Sequence, residues 1–318
     1  MRLLQGTICL LAATFAARAL CDQPSTRAPV LSERIIEGYP IRVAASRLAH
    51  LKDLAAASPS GENKAVIVQK SQRWQPGEPI RVAFRGGSDQ ARRRIEVVAT
   101  RWITETHANI SLTFRNKSGT YISWRTSDNT YSGDIRVGFA SGENGGYWSL
   151  VGNESATRSI DGGGPGQASM NLEGFDGKLP ADYESIILHE FGHALGFEHE
   201  HQSPNLQCGF RFEDDAGYQK VTNEQGVYVP DKRGRRPGVY TYLGGPPNNW
   251  EKDKVDSNLL PLDLPDGTLV SRGDPASIMM YYFEPSFFVA GDKSPCSVPQ
   301  ENSSLSLSDV AYLAKAYP

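Results

Sequence analysis

The sequence carries little net charge and few cysteines. Lysine and arginine number 33 against 36 aspartates and glutamates, which leaves a formal charge of -3 over 318 residues. This near-balance argues against nucleic acid or a membrane surface as a partner, because both attract strongly basic proteins. Cysteine occurs only four times and histidine six times, and the sequence contains no internal repeat or low-complexity tract.

Long hydrophobic runs are also scarce. The one extended apolar stretch, at residues 3–17, follows Arg2 and precedes small residues. It is too short to span a bilayer, but it has the pattern of a secretory signal, with cleavage after Ala19 or after Cys21. The sequence therefore predicts a signal peptide over residues 1–21 and a secreted, extracellular, monomeric protein.

In an oxidising compartment, the cysteines that remain after signal removal are expected to pair. Cys9 leaves with the signal, and cleavage after Cys21 would remove that residue as well, so Cys208 and Cys296 are predicted to form a disulfide, with two free buried thiols as the alternative. The basic cluster at 232–236 lies among Gly and Pro and is interpreted as a solvated loop. In a eukaryotic secreted chain, glycans would fit the N-x-S/T sequons, which are Asn109, Asn116, Asn153 and Asn302.

Composition divides the chain into an amino-terminal part and a larger folded part. Residues 22–40 are rich in Pro, Ser and charge, residues 41–56 have helical apolar spacing, and residues 58–63 have the composition of a linker. Segment 22–68 is therefore interpreted as a pro-segment or as an ordinary amino-terminal extension, and residues 69–318 as the main folded domain.

Apolar periodicity in the main domain predicts an α+β fold. The order of elements indicates a mixed sheet with helices packed on it, followed by an irregular region that ends in a helix. Residues 142–152, with aromatics among glycines, are predicted to form a turn-rich loop. The predicted strands are 79–84, 110–114, 134–139 and 168–172, and the predicted helices are 90–106, 182–195, 249–260 and 306–317.

A cluster of histidines carries the strongest functional signal. Residues 189–201 read HEFGHALGFEHEH. His189 and His193 lie about one turn apart on the predicted helix, so both face the same side and can bind one zinc ion. Glu190 stands beside them and can accept a proton. A histidine pair at this spacing also occurs without a metal, so further ligands decide the interpretation.

Gly196 and His199 supply that further support. In a continuous helix, the His199 side chain would point away from the first two histidines. A glycine can adopt the left-handed conformation that ends a helix, and the chain can then return His199 as a third ligand. Three neutral imidazoles leave one coordination position for water, which is the layout of a catalytic zinc site. The metal would lower the pKa of that water, and Glu190 would accept its proton.

These residues resemble a known group of enzymes. The sequence HExxHxxGxxH followed by a methionine-containing turn, here Ser-Ile-Met-Met-Tyr at 277–281, is similar to the signature of the metzincin zinc metalloendopeptidases. The resemblance is closest to the astacin-like branch, whose zinc motif continues with Phe and Glu, as at 196–200. Met280 departs from the histidine of astacin-like turns. The resemblance covers residues 70–318, including a Trp-x-x-Gly sequence at 74–77.

The resemblance implies a zincin-like (metzincin) fold and a zinc-dependent endopeptidase. An upper subdomain, 69–196, would carry the sheet and two packed helices. A lower subdomain, 197–318, would contain the Met-turn and end in a helix. Zn²⁺ would be the cofactor, and its ligands would be His189, His193 and His199.

Further roles follow from the same resemblance. Glu190 would be the general base and acid. Tyr281 would be a mobile fifth ligand or would stabilise the tetrahedral intermediate, with a buried structural tyrosine as the alternative. Met279 would form a floor beneath the ligands, or be an ordinary core methionine. Glu200 would contact the mature amino terminus, and His201 is expected at the surface.

The substrate would be polypeptide bound in extended form. Strand 168–172 is expected to form the sheet edge that lines the cleft, so that a substrate could add as a further strand. No latency motif of the astacin-like branch lies upstream of residue 70. Two other functions stay open: a catalytically inactive, protease-like binding protein, and a structural secreted protein stabilised by zinc.

Overall fold

A computed structural model describes residues 38–56, 72–262 and 273–318 of the chain. The predicted signal peptide, Cys9, Cys21 and the linker at 58–63 lie outside the described residues. Among the helices that the structure describes, none is long and apolar enough to cross a membrane.

Residues between 79 and 172 form a five-stranded mixed sheet. The strands lie in the order β2-β1-β3-β5-β4, with β4 antiparallel to β5 and the other pairs parallel. This arrangement confirms the predicted α+β class. The strands are β1 Pro79–Phe84, β2 Ser111–Thr113, β3 Ile135–Gly138, β4 Tyr147–Ser149 and β5 Met170–Leu172.

Strand β4 shows that two predictions are wrong. The segment 142–152, predicted as a loop, contains this strand. The predicted edge strand 168–172 contains β5, which lies inside the sheet between β3 and β4. Sequence periodicity missed β4 because it has only three residues, and all three are buried, so no polar-apolar alternation marks it. The edge of the sheet on this side is β4.

Within the described residues, the structure contains six α-helices. They are α1 Ile41–Ala56, α2 Asp89–Thr106, α3 Tyr183–Ala194, α4 Val239–Gly244, α5 Lys252–Leu259 and α6 Leu307–Ala316. Ser88 caps α2 by accepting a hydrogen bond from the Ala91 amide, and Ser306 caps α6 in the same way from Asp309. The short helix α4 was not predicted, whereas the other five match predicted helical segments.

The main hydrophobic core lies between the sheet and helices α2, α3 and α6. Trp102 of α2 is fully buried, and its indole nitrogen donates to the carbonyl oxygen of Leu188 on α3 at 2.8 Å. Trp74, in the predicted Trp-x-x-Gly sequence, donates in the same manner to Ala194 at 2.8 Å. Helix α3 is therefore fixed to its surroundings along its length, which gives its side chains a rigid base.

A second hydrophobic core lies within residues 206–298. Cys208 and Cys296 form the predicted disulfide inside this core, so this prediction is confirmed. A small hairpin of β6 Val221–Thr222 and β7 Tyr228–Val229 lies nearby in sequence. The basic cluster 232–236 follows β7 as a loop, as predicted.

Two arginines of that basic loop already have acidic partners. Arg235 forms an ion pair with Asp231 at 2.7 Å, and Arg236 lies 3.4 Å from an oxygen of Asp215. The sequons differ in exposure: Asn109 and Asn116 are exposed, while Asn153 and Asn302 are half-buried. Glycosylation stays a prediction.

Candidate metal centre

Helix α3 carries the first part of the candidate centre. His189, Glu190 and His193 are all buried. The imidazole rings of the two histidines are 4.8 Å apart between centroids, as expected for residues about one turn apart on one helix face. The prediction that the pair faces the same side is confirmed.

The chain reverses direction at Gly196. This glycine has a φ of +110°, a conformation that side chains disfavour. The Phe197 amide donates back to the Gly192 carbonyl at 3.0 Å, which closes the end of the helix. The turn returns His199 to the helix, so that its Nε2 atom lies 3.0 Å from Nε2 of His193. The ligand atoms of the three histidines all lie within 4.8 Å of one another.

Each of the three rings uses its Nδ1 atom for a hydrogen bond to an oxygen. The acceptors are the Ile278 carbonyl for His189 at 2.8 Å, the Phe197 carbonyl for His193 at 2.7 Å, and Oε1 of Gln202 for His199 at 3.0 Å. Because Nδ1 donates, the proton of a neutral ring is on Nδ1, and the Nε2 lone pair is free to bind a metal.

The donor set fits a zinc ion. Two Nε2 lone pairs that face each other at 3.0 Å repel, unless a cation or a proton lies between them. Nε2 of His189 is buried and has no hydrogen-bond partner among the described residues, although buried polar atoms usually have one. A cation at the meeting point of the three nitrogens would satisfy them all. His189, His193 and His199 can therefore hold Zn²⁺.

Burial keeps these histidines in the form that binds metal. It lowers the pKa of His189 from 6.5 to about 4. It also lowers the pKa values of His193 and His199 well below the ordinary value, with a further contribution from the neighbouring histidines. The rings are therefore neutral at physiological pH, as metal ligation requires.

Met279 packs against α3 at Gly192, between the first two histidines in sequence, and its role as a floor beneath the ligands stays a prediction. A Cβ atom added to Gly192 on α3 would come within 2.4 Å of Met279 Sδ and within 3.0 Å of Trp102. Met279 is fully buried in the main core. The residue between the first two ligands is thus a glycine because the methionine packs directly against the helix backbone.

The ring of Tyr281 stacks beside the ligands. Its centroid is 4.9 Å from that of His189, with an angle of 13° between the planes, and 4.3 Å from that of His199. Tyr281 is therefore close enough to the centre for the predicted catalytic role, which stays a prediction, as does the role of Glu190.

The prediction that His201 lies at the surface is wrong. His201 is buried, donates from Nε2 to the Asn258 carbonyl at 2.8 Å, and stacks on Tyr281 with centroids 5.2 Å apart. Glu200 is also buried and accepts a hydrogen bond from the Asp274 amide at 3.3 Å. Both side chains are therefore held inside the protein by backbone partners, which their polar sequence context did not reveal.

Gln202 is a further residue of the centre, and it was not predicted from the sequence. This side chain accepts from His199 and donates from Nε2 to the carbonyl oxygens of Ser257 and Leu260 at the end of α5, at 3.1 and 3.0 Å. The third ligand is thereby fixed to α5. A glutamine three residues after a metal ligand was the available signal.

A buried ionic cluster lies on the other side of the third ligand. Arg47 of α1 forms ion pairs with Glu154, at 2.8 Å, and with Glu198. Gln72 also donates to Glu154. Burial raises the pKa of Glu198 to about 7, although Arg47 acts in the opposite direction. Because Glu198 immediately precedes His199, this cluster joins the amino-terminal segment to the metal centre.

The residues before α1 lie along the edge strand. The Gly38 amide donates to the Tyr147 carbonyl of β4 at 3.1 Å, and the Tyr39 hydroxyl donates to the Ser149 carbonyl at 2.8 Å. The Tyr39 ring lies 6.4 Å from that of His193 between centroids. The amino-terminal segment therefore covers the sheet edge next to the histidines.

The mixed sheet, the histidine-bearing helix that ends at a glycine, and the returning third histidine form the zincin-like arrangement of the metzincin type that the sequence resemblance implied, and the three histidines can hold zinc. Within this type, the chain resembles the astacin-like branch. It is similar to the structure of myroilysin, with 29% sequence identity and a TM-score of 0.55, over 79% of this chain and 98% of that chain.

Two further solved structures are similar at lower TM-scores. A crystal structure of myroilysin matches with 27% identity and a TM-score of 0.46, over 83% of this chain and 95% of that chain. High choriolytic enzyme 1, a hatching enzyme zinc-protease from the medaka fish Oryzias latipes, matches with 17% identity and a TM-score of 0.40. This match covers 80% of this chain and 98% of that chain. No family model matches the chain, and no curated protein matches it.

Proposed function

We propose that the protein is a secreted zinc-dependent endopeptidase that cleaves polypeptide bound in extended form. The observation that carries the proposal is the convergence of three Nε2 atoms, with each opposite ring nitrogen held by an oxygen acceptor. This arrangement presents three neutral nitrogen ligands from one side. It fits a metal that keeps an open position for water and substrate.

The chain supplies the proton transfers and the stabilisation of charge. Bound zinc would lower the pKa of a water molecule and polarise the scissile carbonyl. Glu190, beside the first ligand, would accept the proton of the attacking water and deliver it to the leaving amine. Tyr281 would donate a hydrogen bond from its phenol to the developing oxyanion. Each Nδ1 hydrogen bond would keep its imidazole correctly oriented during turnover.

The substrate would add to the edge of β4 by main-chain hydrogen bonds. The carbonyl oxygens of Tyr147 and Ser149 on this strand now accept from Gly38 and Tyr39. An incoming polypeptide must therefore displace these residues from the edge. We propose that segment 22–68 is a pro-segment or an amino-terminal extension, of which Gly38 and Tyr39 occupy this edge.

The remaining organisation is part of the same proposal. A signal peptide at 1–21 would direct secretion, and residues 69–196 and 197–318 would be the upper and lower subdomains of a monomeric catalytic domain. Mass spectrometry of the secreted product would measure its amino terminus and its metal content together. A product that still begins at Met1 would contradict the signal peptide.

A proteolysis assay with two variants tests the activity. The wild-type chain should cleave casein, lose this activity on chelation and regain it with zinc. Glu190→Gln should lower the rate by about 10²- to 10⁴-fold, because the proton acceptor is lost, while the zinc content stays at wild-type level. The control is Glu143→Gln, at an exposed position, which should leave both unchanged. Proteolysis that survives complete removal of the metal would overturn the proposal.

A further inference from the structure

Arg47 is the cation of a buried ionic cluster that contains two carboxylates. Its side chain is 6% exposed, and those of Glu154 and Glu198 are 0% and 2% exposed. Nε of the guanidinium donates to Glu154, and Nη2 donates to Glu198. Removing one member of a buried ion pair is strongly unfavourable, because it leaves an uncompensated charge away from water.

The ion pair between Arg47 and Glu198 restrains the backbone between the second and third histidines. Glu198 lies between Phe197, whose carbonyl accepts from Nδ1 of His193, and the ligand His199. Once the carboxylate of Glu198 is held by Arg47, the path of the chain between the second and third ligands is restricted from this side. The orientation of the His199 ring depends on that path.

Helix α1 reaches the same ligand by a second route. It packs against α5, whose end supplies the two carbonyl acceptors for Gln202. Gln202 in turn orients the His199 ring through Nδ1. Residues on both sides of the third ligand are therefore supported, directly or through α5, by one helix that precedes the main domain.

We infer that Arg47 is a positioning residue for zinc, which acts through Glu198 to hold His199 in the geometry that binds the metal. Helix α1 is then part of the support of the metal centre and not only a cover of the cleft. The inference rests on the proposed function in one respect, since it requires that the three histidines bind zinc. It does not depend on proteolysis.

A purely structural Arg47 would affect unfolding without changing the geometry of the ligands. Zinc affinity and the visible absorption spectrum of the cobalt-substituted full chain separate the two roles, because both report on the ligand set of the folded protein. Outer residues that orient metal ligands typically change metal affinity by 10- to 100-fold.

The variants are Arg47→Met and Arg47→Lys in the full chain, with Arg42→Met as the matched control. Arg42 is on the same helix, but its side chain is 70% exposed and lies 3.6 Å from Asp161 at the surface. Arg47→Met should weaken zinc binding by about tenfold or more and alter the cobalt spectrum. Arg47→Lys, which keeps the charge, should restore part of the affinity, and Arg42→Met should match wild type.

Glu198→Gln provides a second test if Arg47→Met fails to fold. It keeps the shape of the side chain and removes the charge, and it should also weaken zinc binding and change the cobalt spectrum. Wild-type affinity and an unaltered spectrum in folded Arg47→Met or Glu198→Gln would overturn the inference alone. A wild-type chain that bound no zinc would overturn both the inference and the proposed function.

Discussion

The carboxylate of Asp309 lies 2.9 Å from the backbone nitrogen of Ile278 and accepts its hydrogen bond. The carbonyl of the same Ile278 accepts from Nδ1 of His189. Helix α6, near the end of the chain, is thus connected to the first zinc ligand through a single residue of the Met-turn. The geometry of the metal centre depends on a helix that contributes no ligand.

Asp309→Ala should destabilise the fold. Asp309 is fully buried and also accepts from the Ser277 hydroxyl at 2.6 Å and from the Ser306 amide at 2.8 Å. The substitution would leave several buried donors unsatisfied, at a cost of about 3 kcal/mol or more in the free energy of unfolding. Urea denaturation would measure it. Asp292→Ala, at an exposed position, should change stability by less than about 0.5 kcal/mol.

Gly192→Ala should reverse the usual benefit of alanine in a helix. Alanine is ordinarily about 1 kcal/mol better than glycine at such a position. Here its Cβ would collide with Met279 and Trp102, so overpacking should destabilise by about 1–3 kcal/mol. Thermal unfolding would show the sign. A Cβ atom added at Gly177 would lie 3.5 Å from its nearest neighbour, the Gly174 carbonyl oxygen, so Gly177→Ala should leave the stability unchanged or slightly higher. A stabilised Gly192→Ala would mean that the methionine can move aside.

The metal-free chain should lose stability as the pH falls below 6.5. Burial lowers the pKa of His189 to about 4 and that of His201 to about 3, whereas both groups titrate near 6.5 in an unfolded chain. Between these pH values only the unfolded state takes up the proton. Each such histidine therefore lowers the free energy of unfolding by up to about 1.4 kcal/mol for each pH unit. Above pH 6.5 the rings are neutral in both states and contribute no slope.

Urea unfolding at pH 7.5, 6.5 and 5.5 would measure this slope. His201→Gln removes one buried titrating ring that the metal does not require. The variant should take up about one proton fewer on unfolding, so its free energy of unfolding should change less steeply with pH. A stability that stayed constant between pH 6.5 and 5.5 would contradict the assignment of neutral, buried histidines.

Loss of the disulfide should destabilise the second hydrophobic core without removing the metal. Cys208 and Cys296 are 88 residues apart, so the bond restricts a long loop of the unfolded chain. The double variant Cys208→Ala/Cys296→Ala should be less stable by about 2–4 kcal/mol. Its zinc content should stay at wild-type level below the unfolding transition, because none of the three ligands lies in that loop. Stoichiometric loss of zinc from the folded variant would contradict this separation.

The metal ligands were predictable because their geometry is local. The spacing of His189 and His193 places them on one helix face, and a glycine at 196 allows the turn that returns His199. The disulfide was predictable for a different reason: only two cysteines remained once those near the amino terminus were set aside. In both cases a few nearby or scarce residues determined the answer.

Other parts of the site depend on contacts between distant segments. Arg47 and Glu198 are 151 residues apart, and no spacing rule connects them. His201 looked exposed among charged neighbours, but the Asn258 carbonyl and the ring of Phe283, 5.0 Å away, enclose it. Burial at such positions is decided by the tertiary fold.

The missed secondary structure was short. Strand β4 has three residues and helix α4 has six, so neither completes enough periods for a pattern to emerge. The error at β4 mattered most, because it moved the expected substrate edge by one strand. The overall order of the longer elements, and hence the fold class, was not affected by it.

The compact spacing of the ligands has a consequence for how the protein assembles. His189 and His199 are separated by only ten positions, so bringing them together closes a short loop at little entropic cost. Ile278 is 89 residues beyond His189, so the hydrogen bond between them closes a much longer loop. Closing the ligand loop therefore costs less chain entropy than docking the Met-turn on His189.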